Sequence, residues 1–248
     1  MLDIVSTAHN ATSAPSEIAP HDTTPYLSAL EHADMTVKAT EVDTAPAGSE
    51  GFDRAYFSSM YRAIDDPWGL SGHYYERRKR DIVMASLPRE TFRNAFEPGC
   101  AMGELSTRLA TRCQRLVASD FVPEALAAAR QRLAAQPHVF VEDIAVPEQW
   151  PEGKFDLIVI SELAYYLDDA ALDSLASKAV ASLEQDGVLL ACHWKHAIEG
   201  AYHDAQTVHS RLAAALGLTA SVHHEETDFM LDVWCCDARS VAATEGIL

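Results

Sequence analysis

The chain has 248 residues, a length that accommodates one full domain and a short appendage. Hydrophobic residues make up 48% and charged residues 23%, which excludes collagen-like, coiled-coil and wholly disordered proteins. The formal net charge of −18 disfavours binding to nucleic acid or to anionic membranes, and no apolar run is long enough to span a bilayer. Five scattered cysteines and an N-terminus unlike a signal peptide predict a cytoplasmic protein without a disulfide framework.

Residues 1–50 differ in composition from the rest of the chain. They contain four prolines among Ser, Thr, Ala and acidic residues, and Lys38 is their only Lys or Arg. No apolar period of 3.6 or 2 persists there, so the segment offers too little apolar surface to offset the entropy of ordering. The sequence therefore predicts a disordered N-terminal extension at 1–50 and one folded domain at 51–240.

Beyond Phe52 the apolar pattern predicts two helices and then an alternation of strands and helices. Such alternation is typical of an α/β fold with a parallel sheet covered by helices on both faces. The last two strands have no helix between them, which indicates an antiparallel hairpin at one edge. The predicted helices after the first are 72–87, 103–112, 123–135, 168–183 and 202–216. The predicted strands are 92–97, 115–119, 138–142, 155–161, 188–192, 219–224 and 230–235.

The first predicted strand runs into the turn Glu97-Pro98-Gly99-Cys100-Ala101-Met102-Gly103. Glycines allow a sharp turn and close approach of a ligand, and free N–H groups of the next helix would face a ligand carboxylate or phosphate. The spacing differs from the dinucleotide pattern G-x-G-x-x-G, and Glu97 would repel a pyrophosphate. An acid at this position attracts a cationic amino group, and S-adenosylmethionine carries an ammonium and a sulfonium.

Further acids end the following strands, where ligands of such sheets bind. Asp120 follows Glu97 at the distance expected for a ribose-binding acid, with a helix N-cap as its alternative. Asp143 and Ile144 are candidates for contact with adenine, although Asp143 would also suit a polar loop. Ser161 and Glu162 end the fourth strand.

These residues resemble those of class I S-adenosylmethionine-dependent methyltransferases and, more narrowly, of nodulation protein S. The matching segments include DPWGLSGHYYERRKRDIVMASLP, AFEPGCAMGELSTRLA, DLIVISELAYYL and GVLLACHWKH, and together they extend over roughly residues 52–236. The resemblance implies a Rossmann-like, seven-stranded, mostly parallel sheet. It also implies a set of donor-binding residues: Glu97, Gly99, Cys100 and Gly103 for the methionine part, Asp120 for the ribose, Asp143 and Ile144 for the adenine, Phe121 and Ser161 beside them, and Tyr75 and Arg78 as a lid.

The resemblance further implies N-methylation of the free amine of a de-N-acetylated chitooligosaccharide, with S-adenosylmethionine as donor and S-adenosylhomocysteine as product. The acceptor ammonium must lose a proton first, and His193 and Glu162 are the candidate catalytic residues because each follows a central strand. Aromatic side chains stack on sugar faces, and the candidates for this role are Trp68, Tyr165, Tyr166 and Trp194.

Alternatives stay open at this point. His193 would also suit a buried packing position, and Glu162 a donor contact or a helix cap. Another small-molecule amine or hydroxyl, a nicotinamide-dependent oxidation and a non-catalytic donor-binding module are the competing functions. No metal site is predicted, because His193 and His196 have no second ligand pair.

Overall fold

The computed structural model describes residues 52–248, so the extension predicted at 1–50 lies outside the described residues. Seven strands form one sheet, and helices precede it, connect its strands and follow it. The strands are β1 (Ala95–Pro98), β2 (Leu116–Asp120), β3 (Val139–Asp143), β4 (Phe155–Ser161), β5 (Leu183–Trp194), β6 (Val222–Glu225) and β7 (Phe229–Cys235). The helices are α1 (Arg54–Ala63), α2 (Tyr74–Ser86), α3 (Glu104–Ala110), α4 (Pro123–Leu133), α5 (Asp169–Ser182), α6 (Ala205–Leu216) and α7 (Val241–Thr244), with one 3₁₀ turn at Ala164–Tyr166.

The strand order is β3-β2-β1-β4-β5-β7-β6. Strands β1 to β5 pair in parallel, whereas β7 pairs antiparallel with both β5 and β6. The Rossmann-like sheet with an antiparallel edge hairpin, predicted from the sequence, is confirmed. The chain moves from β3 at one edge of the sheet to β4 beside β1, so the strand order reverses between β1 and β4. The carboxyl ends of these two strands flank a crevice, and ligands bind in this crevice in such folds.

The central strands are buried on both faces, which explains their continuous apolar runs. Leu157 and Val159 of β4 pack on one face with side chains of α2 and α3. Ile158 and Ile160 pack on the other face with side chains of α5 and α6. The sheet is thereby a rigid support that fixes the positions of its strand ends.

Apart from the start of β5, the observed bounds lie within three residues of the predicted ones. Strand β5 begins at Leu183, because Leu183 already pairs with Phe155 before the register shifts at Leu157 and Val188. Phe92 forms an isolated bridge with Cys113 rather than the start of β1. In residues 52–248 no helix is both long and apolar enough to cross a membrane.

Candidate functional site

The turn after β1 has a backbone that favours glycine. Gly99 and Gly103 have φ angles of +70° and +79°, and Ala101 between them has +49°. A Cβ on Gly103 would lie 3.2 Å from Leu133 Cδ1 of α4. The close packing of this turn against α4 therefore depends on the absence of a side chain at Gly103. Cys100 is buried within it, and its backbone N–H donates to the Ser119 carbonyl oxygen at 2.8 Å.

Glu97, the acid of this motif, lies in a cavity at the carboxyl end of β1. Its side chain is only 3% exposed, and its Oε2 atom has no hydrogen-bond partner in the described part of the chain. Burial raises the pKa of Glu97 to about 8. A buried carboxyl oxygen without a hydrogen-bond partner is costly, so the cavity favours a ligand that brings a cation to it. The cavity is lined by Leu70, Glu76, Lys79, Arg80, Val83, Glu97, Gly99, Cys100, Ala101, Glu104, Leu105, Ser161 and Glu162.

Two cations of α2 face this cavity, and the sequence reasoning missed both as site residues. Lys79 Nζ donates to Glu76 Oε1 at 3.0 Å and to Glu162 Oε1 at 2.6 Å. Burial alone would lower the pKa of Lys79, but the two carboxylates outweigh it and hold that pKa above its usual value. Arg80 is 6% exposed, and its Nη1 atom lies 3.8 Å from Glu76 Oε2. Its Nε atom has no hydrogen-bond partner among the described residues, so it can still donate to an anionic group.

The helical spacing of the sequence could have predicted that Lys79 and Arg80 lie on the buried face of α2. Glu76, Lys79 or Arg80, and Val83 follow one another at steps of three or four, so they share the buried face of α2. Arg78 does not line the cavity, contrary to its predicted role at the donor carboxylate. Its guanidinium instead makes two bonds of 2.7 Å to Glu226, because residues two apart on a helix point about 200° away from each other.

Tyr75, the other predicted lid residue, lies near the cavity. Its hydroxyl is buried without a partner in the described chain, and its ring centroid is 5.1 Å from Lys79 Nζ. Its ring also packs edge-on against Trp194, with centroids 5.5 Å apart. The position is compatible with a donor contact, which stays a proposal.

Asp120 ends β2 with its carboxylate fixed by the backbone. Its Oδ1 atom accepts from the N–H groups of Phe121 and Val122, and its Oδ2 atom accepts from that of Ala101 at 2.9 Å. Burial raises the pKa of Asp120. A carboxylate has about four acceptor positions, so one remains for a ligand hydroxyl such as that of a ribose.

The end of β3 is covered by the first helix, to which the sequence reasoning assigned no role. Arg54 Nη2 of α1 lies 3.0 Å from Asp143 Oδ1, and both side chains are about half exposed. The same guanidinium lies 5.9 Å from the ring centroid of Phe121. An exposed ion pair contributes about 1 kcal/mol or less, so a ligand can displace it. Ile144 is tied to β2 by its N–H bond to the Asp120 carbonyl oxygen.

Glu162 stands at the end of β4 with a φ of +54°, a conformation that costs a non-glycine residue about 1–3 kcal/mol. Three donors hold its carboxylate. They are Lys79 Nζ at 2.6 Å, the Tyr165 hydroxyl at 2.6 Å and the Trp194 N–H at 3.0 Å. Such strain persists only where the surroundings fix it, and it is common at functional sites. Glu162 stays a candidate as an oriented carboxylate at the cavity.

His193 does not face the cleft, and the prediction that it does is wrong. The side chain is fully buried, and strand alternation places it on the Ala191 face of β5, beneath α6. Its Nδ1 atom lies 3.0 Å from His209 Nε2. Burial holds the pKa of His193 well below its usual value, so the ring is neutral. It cannot accept a proton from an acceptor in the cavity.

The four aromatic residues proposed to contact a sugar are packed to different degrees. Tyr165 is 4% exposed, which rules out stacking on a sugar face and corrects that prediction. Tyr166 lies between other rings, with its centroid 5.2 Å from that of Phe57. Trp68 and Trp194 are half-buried, and their contact with an acceptor stays a proposal.

Comparisons with known proteins bear on this site. The family model described as Nodulation protein S (NodS) matches residues 59–215, more than half of the chain. The chain belongs to the nodulation protein S family. The resemblance seen in its sequence is thereby confirmed.

Among curated relatives, Nodulation protein S of Rhizobium tropici is 41% identical over 110 residues, which is 44% of this chain and 46% of that protein. Nodulation protein S of Sinorhizobium fredii strain NBRC 101917 / NGR234 is 36% identical over 127 residues, which is 50% of this chain and 59% of that protein. The chain thus spans about half the length of the curated relatives it matches.

Two solved structures resemble the fold closely. A putative methyltransferase from Pseudomonas syringae is 51% identical, with a TM-score of 0.60, over 66% of this chain and 99% of that one. The N-methyltransferase NodS from Bradyrhizobium japonicum WM9, in complex with S-adenosyl-L-homocysteine, is 29% identical, with a TM-score of 0.65, over 74% of this chain and 98% of that one.

Proposed function

We propose that the chain is an S-adenosylmethionine-dependent N-methyltransferase that methylates the free amine of an amino sugar or a de-N-acetylated chitooligosaccharide. The single observation that carries the donor assignment is the buried carboxyl group of Glu97, whose Oε2 atom has no hydrogen-bond partner among the described residues, in a cavity that Arg80 also lines. A zwitterionic amino acid matches this pair of opposite charges. The family relationship and the methyltransferase NodS bound to S-adenosyl-L-homocysteine support the same donor.

The residues present fit this donor. Glu97 would hold the ammonium of its methionine part and Arg80 the carboxylate, while Gly99, Cys100 and Gly103 shape the turn beside them. Asp120 would take the ribose hydroxyls, and Asp143, Ile144 and Phe121 the adenine. The bound donor supplies an activated methyl group on a sulfonium.

The contribution of the chain itself is orientation and charge. A methyl transfer needs the nucleophilic nitrogen aligned with the methyl group, and correct placement can supply much of the rate enhancement. Ser161 and Glu162 lie at the carboxyl end of β4, beside the Glu97 end of the cavity. The Glu162 carboxylate, held by three donors, would orient the acceptor amine through a hydrogen bond. Tyr75, Trp68, Tyr166 and Trp194 would shield this amine from water and contact the sugar.

The Glu162 carboxylate supports an amine acceptor over a neutral hydroxyl. Glu97 is assigned to the donor ammonium and Glu104 is paired with Arg132, whereas Glu162 has three donors for about four acceptor positions. The remaining position can accept a hydrogen bond from an amine N–H. A small-molecule or oligosaccharide acceptor, rather than nucleic acid, also agrees with the net charge of −18. We further propose that residues 51–240 form the methyltransferase domain and that it acts in the cytoplasm.

The first experiment is calorimetric titration of the full chain with S-adenosylmethionine and S-adenosylhomocysteine. It is followed by turnover on chitotetraose that carries one free amine at its non-reducing end, with fully N-acetylated chitotetraose as the matched control. We expect micromolar donor binding and a methylated product from the free amine alone. Donor binding without turnover over a panel of amines and hydroxyls would favour a non-catalytic module, and absence of donor binding would refute the donor assignment.

A further inference from the structure

A chain of buried polar groups crosses the core on the side of the sheet covered by α6. His193 Nδ1 lies 3.0 Å from His209 Nε2, and His209 Nδ1 lies 2.6 Å from Asp232 Oδ2. All three side chains are nearly inaccessible to solvent. The outer end is His223 of β6, whose Nδ1 lies 2.8 Å from Asp232 Oδ1 and whose side chain is exposed. This row of hydrogen-bonded side chains thus connects the hairpin, α6 and β5.

At the inner end of this row of side chains, His193 reaches the turn that follows Glu162. The Ala164 N–H donates to His193 Nε2 at 3.4 Å. The His193 ring also lies edge-on to that of Tyr165, with centroids 5.4 Å apart. Tyr165 in turn donates from its hydroxyl to Glu162 Oε2 at 2.6 Å. The buried histidine therefore contacts the 3₁₀ turn whose tyrosine holds the carboxylate at the cavity.

In this row of buried side chains, each group must donate its hydrogen bond toward Asp232. Because His193 Nε2 accepts from Ala164, the proton of this neutral ring is on Nδ1 and is donated to His209 Nε2. His209 Nδ1 then carries its proton and donates it to Asp232. Burial works to raise the pKa of Asp232, but the bonds from His209 and His223 hold that pKa below its usual value. Asp232 is therefore the ionised acceptor that fixes both tautomers.

We propose that His193, His209 and Asp232 form a positioning relay that holds the turn Ala164–Tyr166 and, through Tyr165, orients the Glu162 carboxylate at the cavity. The consequence for turnover rests on the proposed function of that cavity. His193 touches no reacting group in this arrangement, so it is a positioning residue. Burying two imidazoles and a carboxylate is costly unless each has its hydrogen-bond partners. In the relay all three groups have partners, and its inner end contacts the turn Ala164–Tyr166.

Removal of the terminal acceptor should reverse the relay. In Asp232→Leu, His209 Nδ1 loses its acceptor, so the stable tautomer of His209 carries its proton on Nε2. His193 Nδ1 must then accept, which moves the His193 proton to Nε2, where it faces the Ala164 N–H. Two donors cannot bond to each other, so the turn is released. Asp232→Asn is the matched variant, because its amide oxygen can still accept from His209.

The tautomers can be read by two-bond ¹H–¹⁵N correlation spectra of histidine-labelled protein, and the turn by hydrogen exchange of the Ala164 amide. We expect Nδ1–H tautomers at both histidines in the native chain and in Asp232→Asn. We expect Nε2–H tautomers and at least tenfold faster exchange at Ala164 in Asp232→Leu. An unchanged Ala164 exchange rate in Asp232→Leu, or an Nε2–H tautomer of His193 in the native chain, would overturn the relay.

Kinetics provide a second, independent readout with chitotetraose that carries one free amine. We expect kcat of Asp232→Leu to fall at least tenfold, while the Kd for S-adenosylhomocysteine stays within about threefold, because Glu97 and Asp120 lie on other strands. Parallel loss of donor binding and turnover would indicate general unfolding and count against positioning. His223→Ala is the control, because it keeps the bond between His209 and Asp232, and it should leave both quantities within about threefold of their native values. If the native chain transfers no methyl group, the proposed function fails, whereas the tautomers and exchange rates still decide the relay.

Discussion

Donor binding should be coupled to the release of a proton from Glu97. Burial raises the pKa of this carboxyl group to about 8, so the group is mostly neutral at pH 6–7 in the free protein. The proposed ligand ammonium binds the ionised form, and its positive charge lowers the pKa of Glu97 in the complex. Binding therefore requires that the proton leave, and donor affinity should rise with pH.

The magnitude follows from the position of the pKa. With a pKa of about 8, roughly one Glu97 in ten is ionised at pH 7 and roughly one in a hundred at pH 6. The Kd for S-adenosylhomocysteine should therefore fall about tenfold between pH 6 and pH 7. Linkage requires that about 0.9 proton be released per ligand bound at pH 7. Over this range the ligand α-amino group, with an ordinary pKa near 8, stays largely charged.

Calorimetry in two buffers of different ionisation enthalpy measures this proton release directly. Glu97→Gln has the same size but cannot ionise, so it should abolish the pH dependence and weaken binding at pH 7 by tenfold or more. Glu104→Gln is the matched control within the cavity, because Glu104 already has Arg132 Nη2 at 2.7 Å from its Oε1. It should retain the native pH dependence. A native Kd that is constant from pH 6 to pH 7, or a Glu97→Gln variant with native affinity, would refute the reasoning.

Three further substitutions test the site and its support. Arg80→Gln should weaken S-adenosylhomocysteine binding at least tenfold by calorimetry. Arg78→Gln should leave the Kd within about twofold, because the native Arg78 guanidinium is bound to Glu226. Equal losses in the two variants would contradict the assignment of the ligand carboxylate to Arg80. Gly103→Ala should cost about 1–2 kcal/mol in the free energy of unfolding, because the residue has a φ of +79°. Ile160→Ala should cost about 2–5 kcal/mol in urea unfolding, because its side chain is fully buried, and a cost below about 1 kcal/mol would contradict the packing described for β4.

The strands at the centre of the sheet were predictable because their apolar runs are local signals. Strand β4 was predicted with its observed bounds, and β2 and β3 to within one residue at each end. The start of β5 was missed, because its pairing with Phe155 depends on a neighbouring strand. A ladder hydrogen bond between distant segments leaves no mark on the local period of either.

The residues of the candidate site likewise include some that the local sequence predicts and others that it does not. The positions of Glu97 and Asp120 at strand ends could be predicted from the sequence, because the end of a strand lies at the same edge of the sheet whatever packs around it. Arg78 was chosen over Arg80 because a basic run does not show which of its members faces the sheet. The interior position of His193 depends on which face of β5 packs against α6, and the apolar period of the strand does not show this.

The sequence by itself determined the fold class, the family and the strand ends at which a ligand would bind, because these depend on local periodicity and on short motifs. Only the tertiary structure decided which charged groups meet in the cavity and which are paired elsewhere. Arg54 pairs with Asp143 across 89 residues and Lys79 with Glu162 across 83, and the packing of α6 on β5 brings His209 to His193. Such pairings depend on the packing of helices against the sheet, which brings together residues that no sequence spacing relates.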